Sequence, residues 1–302
     1  MKDLILHHYR DSPFSEKIRL IFGLKNITWK SVIVPDVAPK PDLYPLTGGY
    51  RHTPVLQIGA DIYCDTKLIV NVIERRYPTP SLWNGKTEGL NRIVEAWAER
   101  DLFWPAARFL TGINAQKLGP RFHADRAALR GKKPPSSASL RRAADRGMSD
   151  LKVQLPLLES LLSRDQLYLL GQTPSLADVS AYHALWFLSM LSTDCSYVLE
   201  PYGNVTAWMK RMRVIGHGNC VEMSSEDAIR CASESDPEPV TLPDQVAETH
   251  RVEVYPDDAQ SNPVEGDLVM RAHNHIAVRR SEPRIGPVVV HFPQLGYIVK
   301  EI

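Results

Sequence analysis

No stretch of this chain approaches the roughly 18 consecutive apolar residues that a membrane-spanning helix requires. The opening run, Met1-Lys2-Asp3-Leu4-Ile5-Leu6-His7-His8-Tyr9, also lacks the long apolar core of a secretory signal. Cysteine is sparse: Cys64, Cys195, Cys220 and Cys231 are the four in 302 residues, and no two form a C-x-x-C pair. Their spacing fits neither a disulfide framework nor a zinc site, so they read as reduced thiols and give the expectation of a cytoplasmic protein. An excess of one charge is missing as well. Thirty-six Lys and Arg stand against 35 Asp and Glu, a net charge of +1, which gives no electrostatic case for nucleic acid or an anionic membrane. There is no G-x-S-x-G turn, hence no support for a serine hydrolase of that type.

The composition, 43% hydrophobic and 24% charged, is that of a globular chain long enough for two or three domains. Residues 3–9 read as a short apolar strand, and 13–24 as a helix with Phe14, Ile18, Ile21 and Phe22 on one face. Residues 27–34 are rich in β-branched side chains and read as a strand, whereas 35–49, with its prolines and glycines, reads mostly as loop. A hairpin follows, 55–58 and 62–64 joined by Gly59-Ala60-Asp61, and then an amphipathic helix over 65–76.

From residue 87 the pattern turns helical. Leu90, Ile93, Val94, Trp97 and Trp104 mark one helix face, and Leu140, Ala144, Met148, Leu151, Leu155, Leu158 and Leu162 another. The basic segment 121–139 between them reads as a loop with a short helix. Ser175 and Asp178 have the spacing of a capping-box variant opening a helix over 176–191 that is apolar nearly all round. Another helix follows through Val205, Trp208 and Met212, and a short one over 225–233. A Pro-rich linker over 236–244 leads to alternating, strand-like sequence from Arg251 onward. The expected organisation is therefore a mixed α+β unit over 1–78, an all-α domain over 87–236 and a small β-rich appendage over 245–302. An appendage of that size is expected to dock on the helical domain.

Three short words carry the chemistry. Ser12-Pro13-Phe14-Ser15 closes a strand and opens a helix; Thr53-Pro54-Val55 opens a later strand; Asp65-Thr66 opens the next helix. A helix N-terminus favours an anion through its unpaired amides and dipole. A free thiol, with a pKa of about 8.5, is mostly protonated at neutral pH. A hydroxyl beside such a terminus can donate to a bound thiolate without forming a disulfide. Ser12 and Asp65 are equally suited to plain capping, and Thr53-Pro54 to a trans bond opening an edge strand.

The order βαβ then ββα with S-P-F-S-x-K-I-R resembles the thioredoxin-like N-terminal domain of the serine-type and omega-type cytosolic glutathione transferases. That resemblance covers about residues 1–215. It implies that Ser12, with Ser15 in reserve, contacts the sulfur of glutathione as cosubstrate. It implies that Thr53 before a cis Pro54, leading into Val55, binds the cysteinyl part through its main chain, and that Asp65 and Thr66 hold the γ-glutamyl end. Lys40, Arg51 and His52 are weaker candidates for the glycyl carboxylate. It also implies a helical-domain wall for a small electrophile, drawn from Trp97, Phe103, Trp104 and Phe109 with Arg108 nearby, and a homodimer. His273, His275 and His291 lie in the appendage without a cysteine or acidic partner at clear spacing, so no metal is expected. Two rival functions stay open: a transferase-like binding scaffold, with the appendage holding a partner, and a glutathione-dependent isomerase or peroxidase.

Overall fold

The computed structural model describes residues 2–85, 88–162, 166–189, 195–239, 250–257 and 263–302. The expected domain limits at 87 and 245 fall outside them, as do the last residues of the helix over 176–191 and part of the linker over 236–244. The first unit runs β1 (Ile5–His8), α1 (Pro13–Leu24), β2 (Thr28–Ile33), a short α2 (Tyr44–Thr47), β3 (Val55–Ile58), β4 (Asp61–Cys64) and α3 (Thr66–Arg76). This is the thioredoxin-like plan. β1 pairs parallel with β2 and antiparallel with β3, and β3 pairs antiparallel with β4. Pro13 sits at the first position of α1, where no amide is needed, and Ser12 caps the helix.

The helical domain comprises α4 (Glu88–Trp97), a π-helical turn (Ala98–Leu102), α5 (Phe103–Ile113), α6 (Ala115–Ala128), α7 (Ser137–Leu161), α8 (Leu176–Trp186) and α9 (Gly203–Arg213), followed by the short α10 (Ser225–Ser233). α6 replaces much of the loop expected over 121–139. α8 is buried on all sides, as its unbroken apolar sequence requires. The capping box is present. Ser175 donates to Asp178 Oδ2 from both its backbone amide (3.0 Å) and its hydroxyl (2.9 Å), while Asp178 Oδ1 accepts from the Leu169 amide and the Trp208 indole. α5 and α7 approach closely: a Cβ at Gly147 would lie 2.5 Å from the Pro105 carbonyl oxygen.

α4 departs from its apolar pattern. Leu90 and Ile93 are 40% and 69% exposed, and the buried positions include Asn91 and Glu95. Both have partners contributed by distant segments. Asn91 Oδ1 accepts from the Ala177 amide at the start of α8, and Glu95 accepts from Lys17 of α1.

The C-terminal strands correct the expected docking. β6 (Arg251–Pro256), β7 (Val264–Ala272), β8 (His275–Glu282), β9 (Gly286–Phe292) and β10 (Tyr297–Glu301) do not pack on the helical domain as a separate unit. β9 pairs parallel with β4, Asp61 opposite Val289 and Tyr63 opposite His291, so the thioredoxin-like sheet continues into the appendage. At the opposite edge, β5 (Asn219–Glu222), inside the stretch expected to be all-helical, pairs parallel with β2. The described strands thus form one ten-stranded sheet in the order β10-β6-β7-β8-β9-β4-β3-β1-β2-β5. The cause is the unpaired edge that β2 and β4 would each present as end strands; added strands satisfy their outward N–H and C=O groups. One hydrophobic core runs across the β4–β9 junction, combining Leu43, Leu46, Val55 and Ile62 with Val252, Val254, Ile276, Val290 and Phe292.

Candidate functional site at one end of the sheet

Strand register brings the three sequence words together. β1 and β3 are antiparallel with His7 opposite Val55, so the chain leaving β1 toward Ser12 lies beside the chain entering β3 through Thr53-Pro54. β3 and β4 are antiparallel with Val55 opposite Cys64, so Asp65 lies beside Pro54. The N-termini of α1 and α3 therefore open at the same end of the sheet, two anion-favouring termini in one place. The Thr53-Pro54 bond is cis.

Ser12 Oγ accepts from the Ser15 amide at 3.1 Å, which caps α1. Ser15 is fully buried and its hydroxyl has no hydrogen-bond partner among the described residues. Ser12 itself is only 1% exposed. Asp65 caps α3, with Oδ1 accepting from the Lys67 amide at 2.9 Å and a backbone φ of +73°. Thr66, the first residue of that helix, is buried, and so is Val55.

Lys40 Nζ donates to Thr53 Oγ1 at 2.6 Å and lies 5.6 Å from the centre of the Tyr9 ring, at the end of β1. Burial pulls its ammonium down to about 8, with repulsion from Arg126 and Arg51 adding to the effect and Asp125 opposing it. Arg51 bonds Asp125 of α6, and the ring of His52 lies 5.3 Å from that of Tyr50. Arg126, which no sequence motif marks, bridges the same region. It donates to Asp125 Oδ2 (2.5 Å) and the Asp36 carbonyl (3.0 Å), and reaches the Tyr9 hydroxyl at 3.4 Å. Beside Thr53 there is thus a group of three cations, Lys40, Arg51 and Arg126.

The α3 side is acidic. Lys17, with its side chain fully buried, donates to Glu95 Oε1 (2.5 Å) and Glu99 Oε1 (2.6 Å), the latter from the π-helical turn. Burial alone would raise the Glu95 carboxyl, but Lys17 and then Arg92 outweigh it and hold it below its usual value. Glu99 goes the other way: burial raises it, Lys17 opposes this, and the charges of Glu95 and Asp65 add to the rise. π-helical turns are frequent at functional sites. Neither Lys17 nor Glu99 could have been assigned from spacing, because their partners lie about eighty residues away.

Of the residues expected to wall a second substrate, Phe103 packs against Phe14 with ring centres 4.8 Å apart and is nearly buried. Phe109 is core. Trp104 is half-buried under the Arg130 guanidinium, Trp97 donates to Gln154, and Arg108 is exposed and faces Asp150. His183 of α8 lies between Phe14 (5.0 Å) and Phe103 (5.9 Å). Neither of its ring nitrogens has a partner among the described residues, and burial followed by the Lys17 charge pushes it well below the ordinary histidine range. In the appendage, His275 hydrogen-bonds His291 (3.0 Å) and His291 bonds Asp61 (3.0 Å), while His273 is exposed.

The fold is thus a thioredoxin-like unit, with a cis proline beside two capped helix N-termini, joined to a helical domain. Comparison with known proteins narrows it. Residues 6–81 match the family model of the glutathione S-transferase N-terminal domain, and residues 123–214 that of the C-terminal domain. A GST-like protein from Pseudomonas syringae is 34% identical over 100% of both chains, with a TM-score of 0.81. The chain belongs to the glutathione S-transferase superfamily. More distant structures share the fold. A glutathione S-transferase from Rhodospirillum rubrum is 20% identical over 80% of this chain and 96% of its own, with a TM-score of 0.54. A bacterial maleyl pyruvate isomerase of the Zeta class is 19% identical over 70% of this chain and 96% of its own, with a TM-score of 0.50. No curated protein matches the chain. Among the described residues no helix is long and apolar enough to cross a membrane.

Proposed function

We propose that this protein is a serine-type glutathione transferase of the cytoplasm, acting as a homodimer, that adds the glutathione thiolate to a small electrophile. The observation that carries the proposal is the convergence of Ser12, cis Thr53-Pro54 and Asp65 at one end of the sheet. The charges around them complement glutathione in order. The sulfur lies over the N-terminus of α1, where the Ser12 hydroxyl donates to it. Thr53, before Pro54 and Val55, bonds the cysteinyl backbone. Asp65 takes the γ-glutamyl ammonium, and Thr66 with the α3 amides takes its carboxylate. The cation group at Lys40 and Arg51, beside His52, takes the glycyl carboxylate.

The thiolate then forms a carbon–sulfur bond to an electrophile held near Phe103 and Phe14, and the electrophile keeps the electron pair or releases it with a leaving group. Rate comes from orientation and from stabilising the anionic sulfur. One hydrogen bond to a charged group contributes about 1.5–3 kcal/mol, enough to lower the thiol pKa by about one to two units.

A second function has a specific observation in its favour. Ser12 and Ser15 are almost closed to solvent and Arg51 already has a carboxylate partner, as in a transferase-like scaffold that performs no turnover. Retention on immobilised glutathione, followed by turnover of a generic electrophile, separates the two. Transferase action predicts retention, and turnover lost at least tenfold in Ser12→Ala. Retention without turnover by the wild type would establish the scaffold, and turnover indifferent to Ser12 would remove that residue from the catalytic role.

A further inference from the structure

The last strand of the appendage reaches the site. Tyr297, the first residue of β10 and 9% exposed, donates its hydroxyl to Asp65 Oδ2 at 3.3 Å. Its oxygen then accepts from the Tyr50 hydroxyl at 3.1 Å. Both Asp65 oxygens are thereby engaged, Oδ1 by the Lys67 amide and Oδ2 by the end of this phenol relay. The same aromatic group braces the chain leading into the cis proline: Phe292 of β9 lies 5.8 Å from Tyr50 and 5.3 Å from Tyr297. Arg280 of β8 donates to the Pro45 carbonyl at 2.6 Å, fixing the segment before Tyr50. Burial first, then Tyr50 and Asp65, raises the Tyr297 phenol well above its ordinary range, so it remains a donor at all physiological pH.

We propose that Tyr297 is a positioning residue: through its bond to Asp65 it orients that carboxylate toward the substrate ammonium, so that the C-terminal β unit is a working part of the cosubstrate site. The Lys67 amide holds only Oδ1, so a second bond is needed to fix the plane of the carboxylate. The hydroxyl of Tyr297 supplies that bond at Oδ2. This inference rests on the glutathione reading and concerns only how its γ-glutamyl end is recognised.

The test compares binding of glutathione and of glutaryl-cysteinyl-glycine, the same tripeptide without the α-amino group, by isothermal titration of the full chain. The wild type should prefer glutathione by roughly 10- to 100-fold, the range of a charge-assisted hydrogen bond. Tyr297→Phe should lose about tenfold of that preference while binding the amine-free analogue within about twofold of the wild type. Tyr50→Phe, which removes the bond that fixes the Tyr297 hydroxyl, should lose about threefold and serves if Tyr297→Phe does not fold. Ile298→Ala, an exposed neighbour on the same strand, should leave the preference intact, which a merely structural role of the strand would not predict. An undiminished preference in folded Tyr297→Phe and Tyr50→Phe overturns the inference while leaving the glutathione reading standing. A wild type that binds neither tripeptide overturns both.

Discussion

Replacing Lys17 by Met should cost about 3–5 kcal/mol of folding free energy at neutral pH, the usual penalty for removing one partner from a buried ion group. Lys17 is a residue of α1, its side chain is fully buried, and among the described residues its ion-pair partners are Glu95 and Glu99 of the helical domain. Without it, two carboxylates remain together at the junction of the domains with, among the described residues, Arg92 on Glu95 to compensate. With a urea slope of about 3 kcal/mol per molar, the midpoint should fall by about 1–2 M, read by the fluorescence of the six tryptophans. The pH dependence carries a definite sign. In the wild type Glu95 is held below its unfolded value, so its contribution is present above that value and is lost as pH falls through the folded one. In Lys17→Met burial and mutual repulsion raise both carboxyls, Glu99 beyond its already raised wild-type value. The folded variant then binds more protons than the unfolded chain and gains stability as pH falls. The gap between the two proteins should therefore narrow from pH about 7 toward about 4. Adding Glu99→Gln to the variant should recover part of the loss at neutral pH. A melt within about 1 kcal/mol of the wild type, or a gap constant with pH, would refute the ion-clamp reasoning.

Three further outcomes are expected. Ser12→Ala removes the α1 cap and should lower stability by about 0.5–2 kcal/mol, whereas Ser15→Ala removes a buried hydroxyl with no partner among the described residues and should leave thermal stability unchanged or raised. Affinity for S-methylglutathione should weaken roughly five- to tenfold as pH rises through about 8, where Lys40 loses its proton, and Lys40→Arg should abolish that limb. Asp178→Asn replaces the oxygen that accepts two Ser175 donors and should cost about 2–4 kcal/mol, seen as a lower melting temperature with glutathione affinity unchanged in the folded protein.

What was legible in the sequence was local. The Ser12 cap, the Thr53-Pro54 step, the Asp65 cap and the Ser175–Asp178 box each fit within a few residues, and each has a backbone reason visible in composition. What was hidden depends on partners far along the chain. Alternation marks residues 286–292 as a strand but cannot say that β4 offers it an edge. β5 is four exposed residues with no apolar pattern, so nothing in it announces a strand. Asn91 and Glu95 look like a polar face until Ala177 and Lys17 are brought to them, which is why the apolar positions Leu90 and Ile93 mislead about which side of α4 is buried. Tyr297 and Arg126 belong to no motif. They matter only because the fold delivers one to Asp65 and the other to the cation group beside Thr53.

The most direct measurement is an ultraviolet titration of glutathione bound to the wild type and to Ser12→Ala, following thiolate absorbance against pH. The account predicts a bound thiol that ionises about one unit or more below its value in water, with most of that shift lost in the variant. A bound thiol that ionises as it does in free solution, or no binding at millimolar glutathione, would contradict it.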